Sequence, residues 1–262
     1  MTTFRALHAP GQLLLLANAW DAGSARLIEA RGAPAIATTS AGLAWSRGYP
    51  DGDLLPQSVL SGALAEIARV VSVPLSVDIE GGYSSDPRVV GETVRTALDA
   101  GAVGINLEDG TGSPDLLCRK IEAARAAAAK TGVDLFVNAR CDVYLRRLVP
   151  AESALPETLG RARRYRAAGC DGLFVPGVRD GAEIRTVVGA LGELPLNVLW
   201  LPELPALAEL RALGVRRLSA GSAIAQRAYG AASRAALRFL ASGDFDAADA
   251  TLGNPEMNAL FT

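Results

Sequence analysis

The stretch "SVDIEGGY", residues 76–83, sets Asp78 and Glu80 one residue apart at the end of an apolar run and directly before paired glycines. Two further short runs repeat the pattern, Asn106 with Glu108 in "GINLEDG" and Asn138 with Arg140 in "FVNARCD". If these runs are strands, side chains two apart share a face, so each pair points the same way. Carboxylates as close as Asp78 and Glu80 repel unless a cation lies between them or one is protonated. A helix-capping role does not suit them, because they lie inside the apolar run and ahead of the glycines. The chemistry they suggest is metal binding. A set of ligands made only of oxygen favours Mg²⁺, with Mn²⁺ as the alternative, over zinc.

The scarce residues narrow the choice. His8 is the only histidine and precedes the first apolar run, so a Ser-His-Asp triad, a Cys-His pair or a multi-histidine metal site has nothing to build on. The two lysines, Lys120 and Lys130, fall in the amphipathic run "DLLCRKIEAARAAAAK", where the polar face of a helix is expected and a desolvated Schiff-base lysine is not. Cys118, Cys141 and Cys170 show no metal-site or disulfide spacing. Carboxylate, arginine, hydroxyl and amide groups remain, together with a metal. With 26 basic and 28 acidic residues and no long run of one sign, a nucleic-acid or anionic-membrane surface is not expected. No stretch reaches the roughly 18 apolar residues of a membrane span, which points to a cytoplasmic protein acting on a small molecule.

Eight β-prone runs recur, at 13–20, 35–40, 75–80, 103–108, 135–140, 172–177, 196–200 and 216–221. Between them lie Ala-, Leu- and Arg-rich stretches of helical period, several ending in glycine, as in "DAGAVGI" and "ALGVRRL". Strict alternation without a linker predicts one α/β domain over residues 1–262, a (β/α)8 TIM barrel with a helical or extended tail from about 241. In such barrels chemistry sits where the strands end, and the polar residues fall there repeatedly. Asp21, Ser85, Asp86, Asp142 and Asp180 are expected to be helix N-caps.

The segments "NAWDAGSARLIEARGAPAIATTSAGLAWSRGYPDG", "SVDIEGGY", "VGINLEDG" and "VNARCDVYL" together resemble the isocitrate lyase and phosphoenolpyruvate mutase superfamily, over about residues 13–225. The resemblance implies an Mg²⁺-dependent barrel that binds a 2-oxo acid, breaks a C–C or P–C bond through an enolate-like intermediate, and assembles as a homo-oligomer, dimer or tetramer. It implies Asp78 as the direct metal ligand, with Glu80 and Glu108 holding metal-bound water and Asp51 lying over the same site. Ser40, Ala41 and Gly42 match the segment that receives the substrate carboxylate. Arg140 matches the arginine that clamps the substrate, Asn106 stands where the lyases carry a histidine, and Asn197 matches a lyase asparagine.

Two departures bear on activity. The lyases carry a K-[KR]-C-G-H loop after the fourth strand, and here the stretch is "GTGSPDLLCRK". Where they place a glutamate after the sixth strand, this chain has Pro176 and Gly177. The expected activity is a lyase or decarboxylase acting on a small 2-oxo or 2-hydroxy carboxylate, with a product enolate that water can protonate. The alternatives are P–C mutase or hydrolase chemistry, with Thr111 and Ser113 as loop contacts, and a barrel that binds a 2-oxo acid without turnover.

Overall fold

A computed structural model describes residues 3–246 and 251–262. Its strands are β1 (Leu14–Leu16), β2 (Asn18–Ala19), β3 (Ile36–Thr38), β4 (Leu75–Asp78), β5 (Ala102–Glu108), β6 (Phe136–Arg140), β7 (Gly172–Val175), β8 (Leu196–Leu199) and β9 (Arg217–Ser219). All pair in parallel, in the order β1-β9-β8-β7-β6-β5-β4-β3-β2. The first of the eight expected runs is split at Ala17 into β1, which pairs with β9, and β2, which pairs with β3. That division closes the barrel, because one stretch of chain serves as neighbour to both ends of the sheet.

The register explains how distant residues meet. Asp78 lies opposite Asn106, and Asn106 opposite Asn138. One step along, Glu108, Arg140, Phe174, Asn197 and Arg217 form a continuous row across five strands. Alternate residues such as Val77, Ile105, Val137 and Val198 are fully buried in the main apolar core. Period-two alternation thus sends apolar side chains outward to the helices and polar ones inward.

The helices that matter to the site are α1 (Ala22–Ala30), α2 (Ser40–Ser46), α5 (Pro114–Thr131), α6 (Ala151–Ala167) and α9 (Ala223–Ser242). Asp21 caps α1 by accepting the Ser24 N–H at 2.7 Å, and Asp86 and Asp180 cap their own helices in the same way. Ser85 and Asp142 cap nothing, and Asp142 has other work. A short 3₁₀ turn, Arg5–His8, closes the foot of the barrel. There His8 stacks on Phe136 with ring centroids 4.2 Å apart and meets Phe4 edge-on. At the far end of the chain the Arg26 Nε–H donates to the Leu260 carbonyl, fastening residues near the C-terminus to α1. Among the described residues, no helix is long and apolar enough to cross a membrane.

Candidate active site

Asp78 is the last residue of β4, and its backbone N–H donates to Thr38 Oγ1 at 2.8 Å, fixing the strand end against β3. The Ser40 hydroxyl donates to Asp78 Oδ2 at 3.4 Å. Ser40, Ala41 and Gly42 form the first turn of α2, where backbone N–H groups have no partner within the helix. Gly42 is required by close approach. A Cβ there would lie 2.8 Å from the Thr39 side chain and 2.9 Å from that of Trp20.

Glu80 departs from the expected geometry. The strand stops at Asp78, and Glu80 sits in the following turn with φ +50, so strand alternation does not set its direction. Its Oε2 accepts the N–H groups of Gly52 and Asp53, at 2.8 and 2.5 Å. In return Asp53 Oδ1 accepts the N–H groups of Gly81 and Tyr83, at 3.1 and 3.0 Å. The turn and the loop that carries Asp51 are thus clasped in both directions. Gly82, at φ +86 and packed where a Cβ would meet Val90 at 2.8 Å, lets the chain make this turn.

Glu108 and Arg140, adjacent in register, form an ion pair. The Arg140 fork is held from below by Asp142, Nε to Oδ1 at 2.7 Å and Nη2 to Oδ2 at 3.0 Å, and the guanidinium lies 5.9 Å from the centre of the Phe174 ring. Arg146 donates to the same Asp142 at 2.8 Å. Asp142 is therefore a buried clamp for two arginines. Asp109 is structural too, accepting from Arg161, Tyr165 and the Asp142 N–H.

Three acids at the mouth are raised above their ordinary range, chiefly by burial. Burial raises the Asp78 carboxyl above its ordinary range, and the Asp51 carboxylate adds to the effect against the pull of Arg140. Burial, joined by Asp51, Asp78 and Asp53, pushes Glu80 up to about 7. Glu108 is pushed up to about 8 by burial, with Asp142 and Asp78 adding to it against Arg140.

Among the described residues, no three His, Cys, Asp or Glu side chains stand close enough to hold a metal ion by themselves. The donor set still fits Mg²⁺, which keeps several waters and takes one or two carboxylates from the protein. Asp78 can supply a direct oxygen. Glu108 Oε2 is sealed from solvent with no aligned hydrogen-bond donor, although the Arg140 guanidinium adjoins it.

A cavity of about 500 Å³ opens beside these acids, lined by Glu80, Glu108, Tyr83, Thr111, Lys120 and Arg146 among others. Lys120 corrects the sequence reading. It is only 7% exposed, and its Nζ donates to the Gly81 carbonyl at 2.5 Å. Ser113 is committed to capping α5, accepting the Leu116 N–H, whereas Thr111 faces the cavity. Cys141 is fully buried and its thiol is pushed up to about 12 by burial, while Cys118 is half-buried on α5. Asn197 is buried on β8, its Oδ1 accepting from Ser219 at 3.2 Å. Asn106 Oδ1 accepts from Asn138 Nδ2 at 2.9 Å and from Arg217 Nη2 at 3.3 Å. The run "RRLSAG" held the signal for Arg217, since period two places it on the face of Ser219.

The family profile described as phosphoenolpyruvate phosphomutase matches residues 4–240. The chain belongs to the phosphoenolpyruvate phosphomutase family. This lies within the isocitrate lyase and phosphoenolpyruvate mutase superfamily of lyases and mutases, which act on small carboxylates. The crystal structure of a Burkholderia cenocepacia protein provisionally described as a phosphonomutase superposes with a TM-score of 0.83 at 45% identity, covering 90% of this chain and 97% of that one. The 2-methylisocitrate lyase of Escherichia coli is 30% identical over 210 residues, 71% of this chain and 68% of the lyase. The oxaloacetate decarboxylase of Rhodopseudomonas palustris is 31% identical over 199 residues, 71% of this chain and 66% of the decarboxylase. The chain is thus similar to proteins named for C–C chemistry and to one named for P–C chemistry.

Proposed function

We propose that this protein is an Mg²⁺-dependent lyase or decarboxylase that cleaves a C–C bond in a small 2-oxo or 2-hydroxy carboxylate. The observation that carries the reading is the half-buried Asp78 facing the Ser40 hydroxyl, with the Asp142-held Arg140 two strands away. Asp78 would hold the metal directly, with Glu80, Glu108 and Asp51 around it, and Mn²⁺ could substitute. When bound, the metal supplies a Lewis acid for charge that develops on the substrate's keto oxygen.

The chain's own residues do the rest. The N–H groups of Ser40, Ala41 and Gly42, with the Ser40 hydroxyl, bind the substrate carboxylate. Arg140 holds a substrate oxygen with a guanidinium whose plane Asp142 has already fixed, so little rotational freedom is lost on binding. Asn106 offers an uncharged amide where a proton-transfer group would otherwise stand. With no cysteine at the mouth and no catalytic histidine, the carbanion equivalent left by C–C cleavage is best protonated by water. That favours decarboxylation or retro-aldol cleavage of an activated substrate. The two relatives named for C–C chemistry support this choice, whereas the Burkholderia structure keeps a P–C mutase or hydrolase as the second reading. A barrel that binds a 2-oxo acid without turnover is the third outcome of the test.

The test is Mg²⁺-dependent turnover of oxaloacetate, 2-methylisocitrate, isocitrate and phosphonopyruvate, with Asp78→Ala as control. Pyruvate from oxaloacetate or 2-methylisocitrate, or glyoxylate from isocitrate, lost in the variant, supports the proposal. Phosphoenolpyruvate (mutase) or phosphate (hydrolase) from phosphonopyruvate replaces it with P–C chemistry. Oxalate binding that requires Mg²⁺, without turnover of any of the four, favours a binding protein.

A further inference from the structure

Beneath the mouth, a fully buried arginine spans the barrel. Arg217, on β9, is 1% exposed and, among the described residues, pairs directly with no carboxylate. Its Nε–H donates to Ser219 Oγ at 3.1 Å, and its Nη2 reaches Asn106 Oδ1, on the opposite side of the barrel, at 3.3 Å. Its Nη1 is sealed and unpartnered. Asp78 is the acid whose charge reaches it, and burying a guanidinium without a directly paired carboxylate costs free energy, so the contacts it does make need an account.

A guanidinium has donors only. The Asn106 atom facing Nη2 must therefore be its oxygen, whichever way the amide is first drawn. Asn138 Nδ2 donates to the same oxygen at 2.9 Å, so two donors from β6 and β9 hold one acceptor on β5. The Asn106 NH₂ group makes no hydrogen bond and, unlike Asn197 Nδ2, is not sealed. Asp78 stands beside it in register on β4.

We infer that Arg217 is a positioning residue: it pins Oδ1 of Asn106 so that the amide presents only its NH₂ group to the ligand, and the site thereby selects an oxygen acceptor there. The inference rests on the reading of this mouth as a 2-oxo acid site. It gives the asparagine a fixed polarity, as a donor toward carboxylate or keto oxygen and never a proton acceptor.

The experiment compares oxalate with oxamate, which replaces one carboxylate oxygen by an NH₂ donor, by titration calorimetry in saturating Mg²⁺. The wild type is expected to favour oxalate by about tenfold or more, because donor faces donor in the oxamate complex. In Arg217→Met the Asn106 amide is free to turn, and the preference is expected to fall to within about threefold. Asn138→Asp is the second variant, nearly isosteric and able only to accept, so it draws the Asn106 NH₂ group inward and lowers the preference by a separate route. Thermal melts show that each variant is folded. A variant with a lower Tm and an unchanged oxalate-to-oxamate ratio would leave Arg217 a packing residue and overturn the inference. Failure of the wild type to bind oxalate would overturn the reading of the site, and the inference with it.

Discussion

Arg140 and Asp142, two residues apart at the end of β6, are joined by a two-pronged contact of 2.7 and 3.0 Å that holds the guanidinium plane before any ligand arrives. Asp142→Asn keeps the shape and removes the charge, leaving Arg140 with a looser fork. We expect kcat/KM to fall by roughly 10- to 100-fold while Mg²⁺-dependent oxalate binding persists in weakened form. Arg140→Lys cannot reproduce the planar fork and should lose about 100-fold or more. Steady-state kinetics on the substrate found in the turnover test check both.

Asp53 and Glu80 clasp the Asp51 loop to the turn after β4. Asp53→Ala removes the acceptor for the Gly81 and Tyr83 N–H groups and frees the loop. The expected outcome is a higher KM with a smaller change in kcat, and proteolysis first appearing at residues 50–54. Limited digestion with and without Mg²⁺ and oxalate checks this.

His8 gives a pH-dependent contribution to stability. Burial, with Arg217 adding to it, pulls its imidazole down to about 3, from an ordinary value of 6.5. In the folded chain it therefore stays neutral where the unfolded chain takes up a proton. Its contribution is complete above pH 6.5 and is lost as pH falls from there toward 3. Relative to His8→Phe, the wild type should lose on the order of 3 kcal/mol between pH 7 and pH 4. Denaturant melts of both proteins across that range measure the difference.

Gly104 faces the same plug. A Cβ there would lie 2.7 Å from the Phe4 ring and 3.0 Å from Ser76 Oγ. Gly104→Ala should destabilise the fold by about 1–3 kcal/mol, because the ring it displaces is packed against His8 and Phe136. A double variant with Phe4→Leu should recover part of that loss.

Leu237 and Leu240 on α9 are 73% and 84% exposed, with Phe239 and Phe245 also exposed nearby. If a second copy of the chain covers this apolar face, as the family resemblance implies, it is where the copies meet. On that expectation light scattering gives more than one chain's mass for the wild type and one chain's mass for Leu237→Asp with Leu240→Asp, and a wild type of one chain's mass overturns it.

Asp78, Asn106, Glu108, Asn138 and Arg140 were legible in the sequence because a strand's period is two and its register with the next strand is local. The alternating runs likewise determined the barrel, since each strand and helix buries one face through short-range pattern alone. The direction of Glu80 is not set by alternation, because the strand ends at Asp78 and φ turns positive at Glu80. Asp142 looked like a helix cap in isolation, and its contact with Arg140 depends on the chain turning back after β6. Lys120 looked solvated because helical periodicity does not reveal that the turn at Gly81 closes over it. Arg217 was hidden among many arginines. Only closure of the barrel, which brings β9 across from β5, makes its guanidinium a partner of Asn106. Sequence by itself determined what repeats along the chain, and tertiary structure decided which distant polar atoms meet, because those contacts depend on closure and not on period.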